Sequence, residues 1–168
     1  MGEVKPLIKK DAVAKMQDML GGGNILMFAS NLGNHPFEVS PMSTQEVDED
    51  GIVWFFSVKG SDRNKYVQQD SRTQLIYSNS SDSDYMSVYG DTEIVHDQEK
   101  VKELWTPFAK VWFQGGPEDP NLSLMKFTPK EGFYWDTKNG KMVSFAKMIA
   151  SLATGETMDD GVEGTLKP

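Results

Sequence analysis

Residues 52–66 read IVWFFSVKGSDRNKY, and the fold turns on them. The first half alternates and is aromatic at Trp54, Phe55 and Phe56, which predicts a strand. The second half is a Gly/Ser turn carrying Lys59, Arg63 and Lys65. Ser hydroxyls and turn N–H groups can donate there, and Arg and Lys supply charge, so the turn reads as a candidate phosphate cradle. On residue types alone, a core strand followed by an ordinary polar loop is the preferred reading. Alternate strand residues face opposite ways, so one face is expected to pack the core and the other to meet a ligand or a second subunit.

Upstream, Asp50-Gly51 predicts a hairpin turn that links this strand to another over Phe37 to Val47. Pro41 inside that strand cannot donate to a ladder, which implies an edge, a bulge or a ligand lying where the neighbouring strand would be. Leu32 to Pro36 is a turn, and Asn24 to Ser30 is a short apolar strand. Before it, Ala12, Met16, Met19 and Leu20 fall at helical spacing, with Asp11 as a candidate N-cap and Gly21-Gly22-Gly23 as the stop. The three glycines lack the Gly-Lys-Ser/Thr ending of a P-loop.

Downstream, Arg63 to Gln69 is expected to form helical turns with Tyr66 and Val67 inward. Thr73 to Asn79 and Tyr85 to Val95 are strands, the second broken by Gly90 as at a barrel corner. Asp97 caps a helix whose apolar stripe is Val101, Leu104, Trp105 and Phe108. An irregular loop begins at Trp112 and Phe113, and strands follow over Leu122 to Thr128 and Gly132 to Asp136. Asn139-Gly140 reads as a turn. Phe145, Met148, Ile149 and Leu152 place a C-terminal helix over 138–154, and a mobile acidic tail is expected over 155–168. The whole, residues 1–168, reads as a single domain with its barrel over 10–137. Short strands joined by hairpin-like turns predict α+β, mainly β, with an antiparallel sheet closed into a small barrel.

Composition narrows the function. The 168 residues hold 25 acidic and 17 basic side chains, for a net charge of −8, which disfavours nucleic acid as a partner. A basic turn in so acidic a chain suits a small anion. There is no cysteine, which excludes disulfides, thiolate metal sites and a cysteine nucleophile and fits a reducing compartment. His35 and His96 lie far apart, and neither has sequence partners for a metal site or a catalytic triad. The carboxylate clusters sit in turns and read as solvated surface. No secretory h-region opens the chain, and its longest apolar run, Ile25 to Ala29, is too short to span a bilayer, so a cytoplasmic protein without a membrane partner is expected.

Several motifs occur in an order that resembles the general-stress-protein branch of the pyridoxamine 5′-phosphate oxidase-like superfamily, the FMN-binding split barrels. They are Ser-Pro-Met-Ser at 40–43, Trp-Phe-Phe-Ser at 54–57, the basic turn up to Lys65, Tyr-Ser-Asn at 77–79 and Val-Tyr-Gly-Asp-Thr-Glu at 88–93. Trp112-Phe113 with Gly-Gly-Pro-Glu-Asp-Pro and Tyr-Trp-Asp at 134–136 complete the set. The resemblance implies a six- to seven-stranded antiparallel split β-barrel with flanking helices. It also implies a homodimer with FMN at the subunit interface. By position, Met42 and Ser43 would lie along the flavin through backbone groups, and Phe56 and Ser57 would line its pocket. Ser61, Arg63 and Lys65 would hold the phosphate, and Trp112 and Phe113 would come from the partner subunit.

Two departures modify what the resemblance implies. Ser40 stands where many relatives carry Arg, so one contact is lost or supplied elsewhere. Gln45 stands where the true oxidases place Lys, and their C-terminal Arg-x-His pair has no counterpart, which argues against pyridoxamine-phosphate oxidation. The resemblance therefore implies a flavin-dependent oxidoreductase or flavin reductase with a small-molecule donor or substrate. A non-catalytic FMN-binding module and a split barrel for a deazaflavin or haem are the alternatives. No catalytic residue and no metal ligand is assigned.

Overall fold

A computed structural model describes residues 5–6, 9–136 and 141–144. In chain order it has β1 (Lys5–Pro6), α1 (Lys9–Leu20), β2 (Ile25–Ser30), β3 (Glu38–Val47), β4 (Val53–Val58), α2 (Asp62–Gln69), β5 (Arg72–Asn79) and β6 (Asp84–Val95). Then come α3 (Gln98–Leu104), two 3-10 turns at Pro107–Val111 and Gly116–Glu118, β7 (Leu122–Asp136) and β8 (Lys141–Ser144). Six strands close a barrel in the order β7-β4-β3-β2-β5-β6, with β6 returning to β7. Every pairing within it is antiparallel. β8 extends the far end of β7, and β1 lies parallel to β8.

The alternation of β4 explains both hydrophobic layers. Val53 and Phe55 point into the barrel, where they join Leu26, Phe28, Leu75, Met125 and Phe127, with Met16 and Leu20 of α1 added from the side. Phe28 and Phe55 meet edge to face at 5.5 Å, a geometry that contributes about 0.5–1.5 kcal/mol beyond the area buried. Ile52, Trp54 and Phe56 point outward, under Val101 and Leu104 of α3 and the adjoining Ala109 and Phe113. The outer face of the central strand is thus covered by the chain's own helix and turns.

Two turns fix the register. Asp48 accepts hydrogen bonds from the Asp50 and Ile52 amides and from Trp54 Nε1, and Gly51 takes the positive φ of 81° that the β3–β4 hairpin requires. An acid expected at a solvated surface is the turn's cap. At Gly90, where β6 crosses β7, any Cβ would collide with the Thr128 carbonyl oxygen and Pro129. The corner expected there is present.

Two sequence expectations change. The separate strands over Leu122–Thr128 and Gly132–Asp136 are one strand, β7, because the register shift at Tyr89/Gly90 absorbs Lys130 as a bulge rather than a turn. In the expected helix over 138–154, Lys141–Ser144 instead pairs antiparallel with β7. The other residues of that helix, the turn at Asn139-Gly140 and the tail over 155–168 lie outside the described residues.

Candidate functional site: a barrel seam bridged by one arginine

The ladder between β3 and β4 is incomplete. Thr44 to Val47 pairs with Val53 to Phe55, with a bulge at Gln45. Beyond it, Glu38 to Ser43 of β3 pairs with β2 alone, and Phe56 to Val58 of β4 pairs with β7 alone. The barrel is therefore split along half of one seam. Thr44 donates its amide to the Asn24 carbonyl on the β2 side. Backbone polar groups alternate sides along a strand, so those of Pro41 and Ser43 face the open seam. Pro41 sits where no donor is missed, at the local edge that its presence implied.

One side chain crosses the gap. Arg63, in the first turn of α2, donates from Nε (3.0 Å) and Nη2 (2.8 Å) to Ser40 Oγ on β3. From Nη1 it donates to Ser57 Oγ on β4 at 3.2 Å. Behind Ser57 lies a satisfied polar cluster. Asn64, only 3% exposed, accepts at Oδ1 from Ser57 Oγ (2.7 Å) and Ser61 Oγ (3.2 Å) and donates from Nδ2 to Ser123 Oγ (2.9 Å). Ser61 is also the N-cap of α2, accepting from the Asn64 amide.

Arg63 is half-buried, and desolvation pulls its pKa below the usual arginine value. A guanidinium starts so high that it stays charged at neutral pH. Three of its five N–H groups are used, which leaves one on each terminal nitrogen. They belong to a cleft of about 230 Å³ lined by Ser30, Glu38, Ser40, Ser61, Arg63 and Tyr66, among others. The arrangement presents a fixed cation and the Ser40 hydroxyl beside open strand backbone, while the Ser57 and Ser61 protons go to Asn64; this is a donor set for an anionic group on an extended ligand. A second cavity of about 300 Å³ lies on the other side of Asn64 and is lined by Lys59, His96 and Ser123 among others. Its lysine, Lys59, is exposed, whereas Arg63 is half-buried and bridges two strands, and the site is assigned to the seam.

The residues singled out from sequence divide into two groups. Ser57, Ser61 and Arg63 converge at the seam, and Met42 and Ser43 run along its β3 edge. The Met42 side chain is in the barrel core, so only its backbone is available. Lys65 is elsewhere: its side chain is 61% exposed and its ammonium pairs with Asp62 at 3.4 Å. Phe56 and Phe113 pack on each other, with ring centroids 6.2 Å apart. Phe113 is therefore held in its own chain's second core, while Trp112, its neighbour, is 70% exposed. Adjacent residues in a tight turn point different ways, and sequence adjacency does not reveal which one is outside. Sequence reasoning missed Asn64 as the buried hub and Ser40 as the partner of Arg63. In sequence, Ser40 stands out as a departure, where many relatives carry Arg, but not as the partner of Arg63.

The fold and the chain have relatives. A protein related to general stress protein 26 from Clostridium acetobutylicum superposes with a TM-score of 0.68 at 18% identity, covering 81% of this chain and 94% of that one. A protein described as the general stress FMN/FAD binding protein of Xanthomonas citri superposes with a TM-score of 0.65 at 21% identity, covering 94% and 99%. Protein bli-3 of Neurospora crassa is 28% identical over an alignment of 120 residues that covers 64% of this chain and 57% of that protein. The chain thus spans little more than half the length of that curated relative. The family model described as pyridoxamine 5′-phosphate oxidase like matches residues 11–159, and this chain, a split barrel, belongs to that family.

Proposed function

We propose that this protein binds FMN at the open seam, with the phosphate in the cleft at Ser40, Ser61 and Arg63 and the flavin along the β3 edge at Met42 and Ser43. The observation that carries the reading is the Arg63 guanidinium, held across the seam with two N–H groups to spare in a chain of net charge −8. The Xanthomonas citri neighbour, described as an FMN/FAD binding protein, supports a flavin. The donor set fits a phosphate monoester. Neither His35 nor His96 lines the cleft, so the residues present fit a haem less well.

When bound, the flavin would supply electron or hydride transfer to or from a small-molecule donor or substrate. The chain's own part is to anchor the phosphate, align the ring against strand backbone and cover one side of it. A flavin-binding module without catalysis of its own is the second reading. The lack of cysteine fits a cytoplasmic setting, and no helix among the described residues is long and apolar enough to cross a membrane.

A homodimer is part of the proposal. Outward residues of β2, β3 and β5 form an apolar patch: Ile25 (65% exposed), Met27, Val39 and Ile76, with Met27 paired to both Pro41 and Ile76. Contiguous apolar surface of this kind marks an interface. Met27→Glu is expected to convert a sedimenting dimer to monomer; a wild-type chain that sediments as a monomer would overturn this part.

The first experiment is the visible spectrum of protein purified without added cofactor, repeated after FMN is added and the sample desalted. Retained flavin absorption is the expected outcome. No retention at excess FMN would remove the flavin assignment. Reduction of the retained flavin by a nicotinamide nucleotide would separate the oxidoreductase from the binding module.

A further inference from the structure

We infer that Ser40 is a positioning residue that sets the preference for a phosphorylated over an unphosphorylated flavin. The inference rests on the flavin reading above and concerns how the cleft keeps its cation available.

Ser40 is fixed by the ladder, paired with Phe28 of β2, and its hydroxyl oxygen takes two of the three hydrogen bonds that Arg63 makes. A planar fork held at Ser40 on one strand and Ser57 on the other has a set plane. Without Ser40, one bond to Ser57 remains, and the guanidinium can turn about it. Two carboxylates wait in the same cleft, Glu38 and Asp62. Asp62 is shared with the exposed Lys65, and no ion pair is made by Glu38 among the described residues. A released guanidinium would turn to one of them and form an internal ion pair, which a ligand phosphate would then have to break. Ser40 thus keeps Arg63 uncommitted. It does so with a neutral hydroxyl whose own proton is free to donate into the cleft.

The test is the ratio of FMN to riboflavin affinity, measured by fluorescence titration on the full chain. Loss of two bonds to a charged donor predicts that Ser40→Ala lowers this ratio about tenfold, while Ser40→Thr, which keeps the hydroxyl, retains it. A merely structural role for Ser40 would weaken both flavins together and leave the ratio unmoved, and that result overturns the inference. Should Ser40→Ala fail to fold, Ser40→Val serves instead: it keeps the shape of the Thr variant and suits a strand, lacks the hydroxyl that Arg63 holds, and is expected to lower the ratio similarly. An unmoved ratio there overturns the inference equally. Wild-type protein that binds neither flavin would overturn the underlying flavin reading as well.

Discussion

The two halves of the β3–β4 seam are built from the same pair of strands and held by different means. In the closed half, Thr44 to Val47 meets Val53 to Phe55 through backbone pairing. Asp48 clasps the turn, and Phe55 is fully buried. Beyond the pair of Thr44 with Phe55, just past the Gln45 bulge, the backbone ladder stops, and one guanidinium spans the gap. A ladder is self-satisfied and leaves nothing for a ligand. A bridge made of a charged side chain and two hydroxyls leaves donors over, and frees strand backbone on either side. The barrel gives up sheet pairing there and leaves strand backbone open.

That contrast can be broken by stability measurements. Phe55→Ala in the closed half should cost about 3–5 kcal/mol, as large-to-small changes of a fully buried aromatic do. Val58→Ala, three residues further along β4 in the open half and 47% exposed, should stay within about 0.5 kcal/mol. Urea unfolding of both variants gives the comparison. Similar losses would mean that the open half is packed like the closed one.

Arg63→Ala sharpens it. Three hydrogen bonds and the cleft's cation go together, so FMN affinity should fall on the order of 100-fold. Stability should move far less, by about 1 kcal/mol, because returning a half-buried charge to the unfolded chain's reference offsets much of the bonding lost. A large loss of stability with unchanged FMN affinity would make Arg63 a structural strut and nothing more.

The barrel was legible because its signals are local. The alternation at 52–58, the Asp-Gly turn and the lone Gly90 each constrain the chain within a few residues. Pro41 was legible as well, since a residue that cannot donate must face an unpaired side. The bridge was not. Ser40 and Arg63 are 23 residues apart, and their contact depends on the height at which α2 starts after β4. Lys65 shares with Arg63 the same basic turn, and only the helical geometry of α2 separates them. Two residues along a helix face different directions, so one cation enters the cleft and the other meets solvent. Trp112 and Phe113 repeat the lesson just after a 3-10 turn.

Lys65 therefore provides the smallest and most discriminating expected effect. Its ammonium is mostly exposed and already shared with Asp62. Exposed pairs of this kind are weak and screened by salt, so Lys65→Ala should change FMN affinity less than about twofold at physiological ionic strength. The residual change should vanish as salt is raised, because it acts only through the field at the cleft mouth. The Arg63→Ala loss should persist under the same salt, since its contacts are direct and half-buried. A Lys65→Ala loss as large as that of Arg63→Ala would move the anion from the seam to the outer face of α2, and the open half of the seam would then need another ligand to explain it.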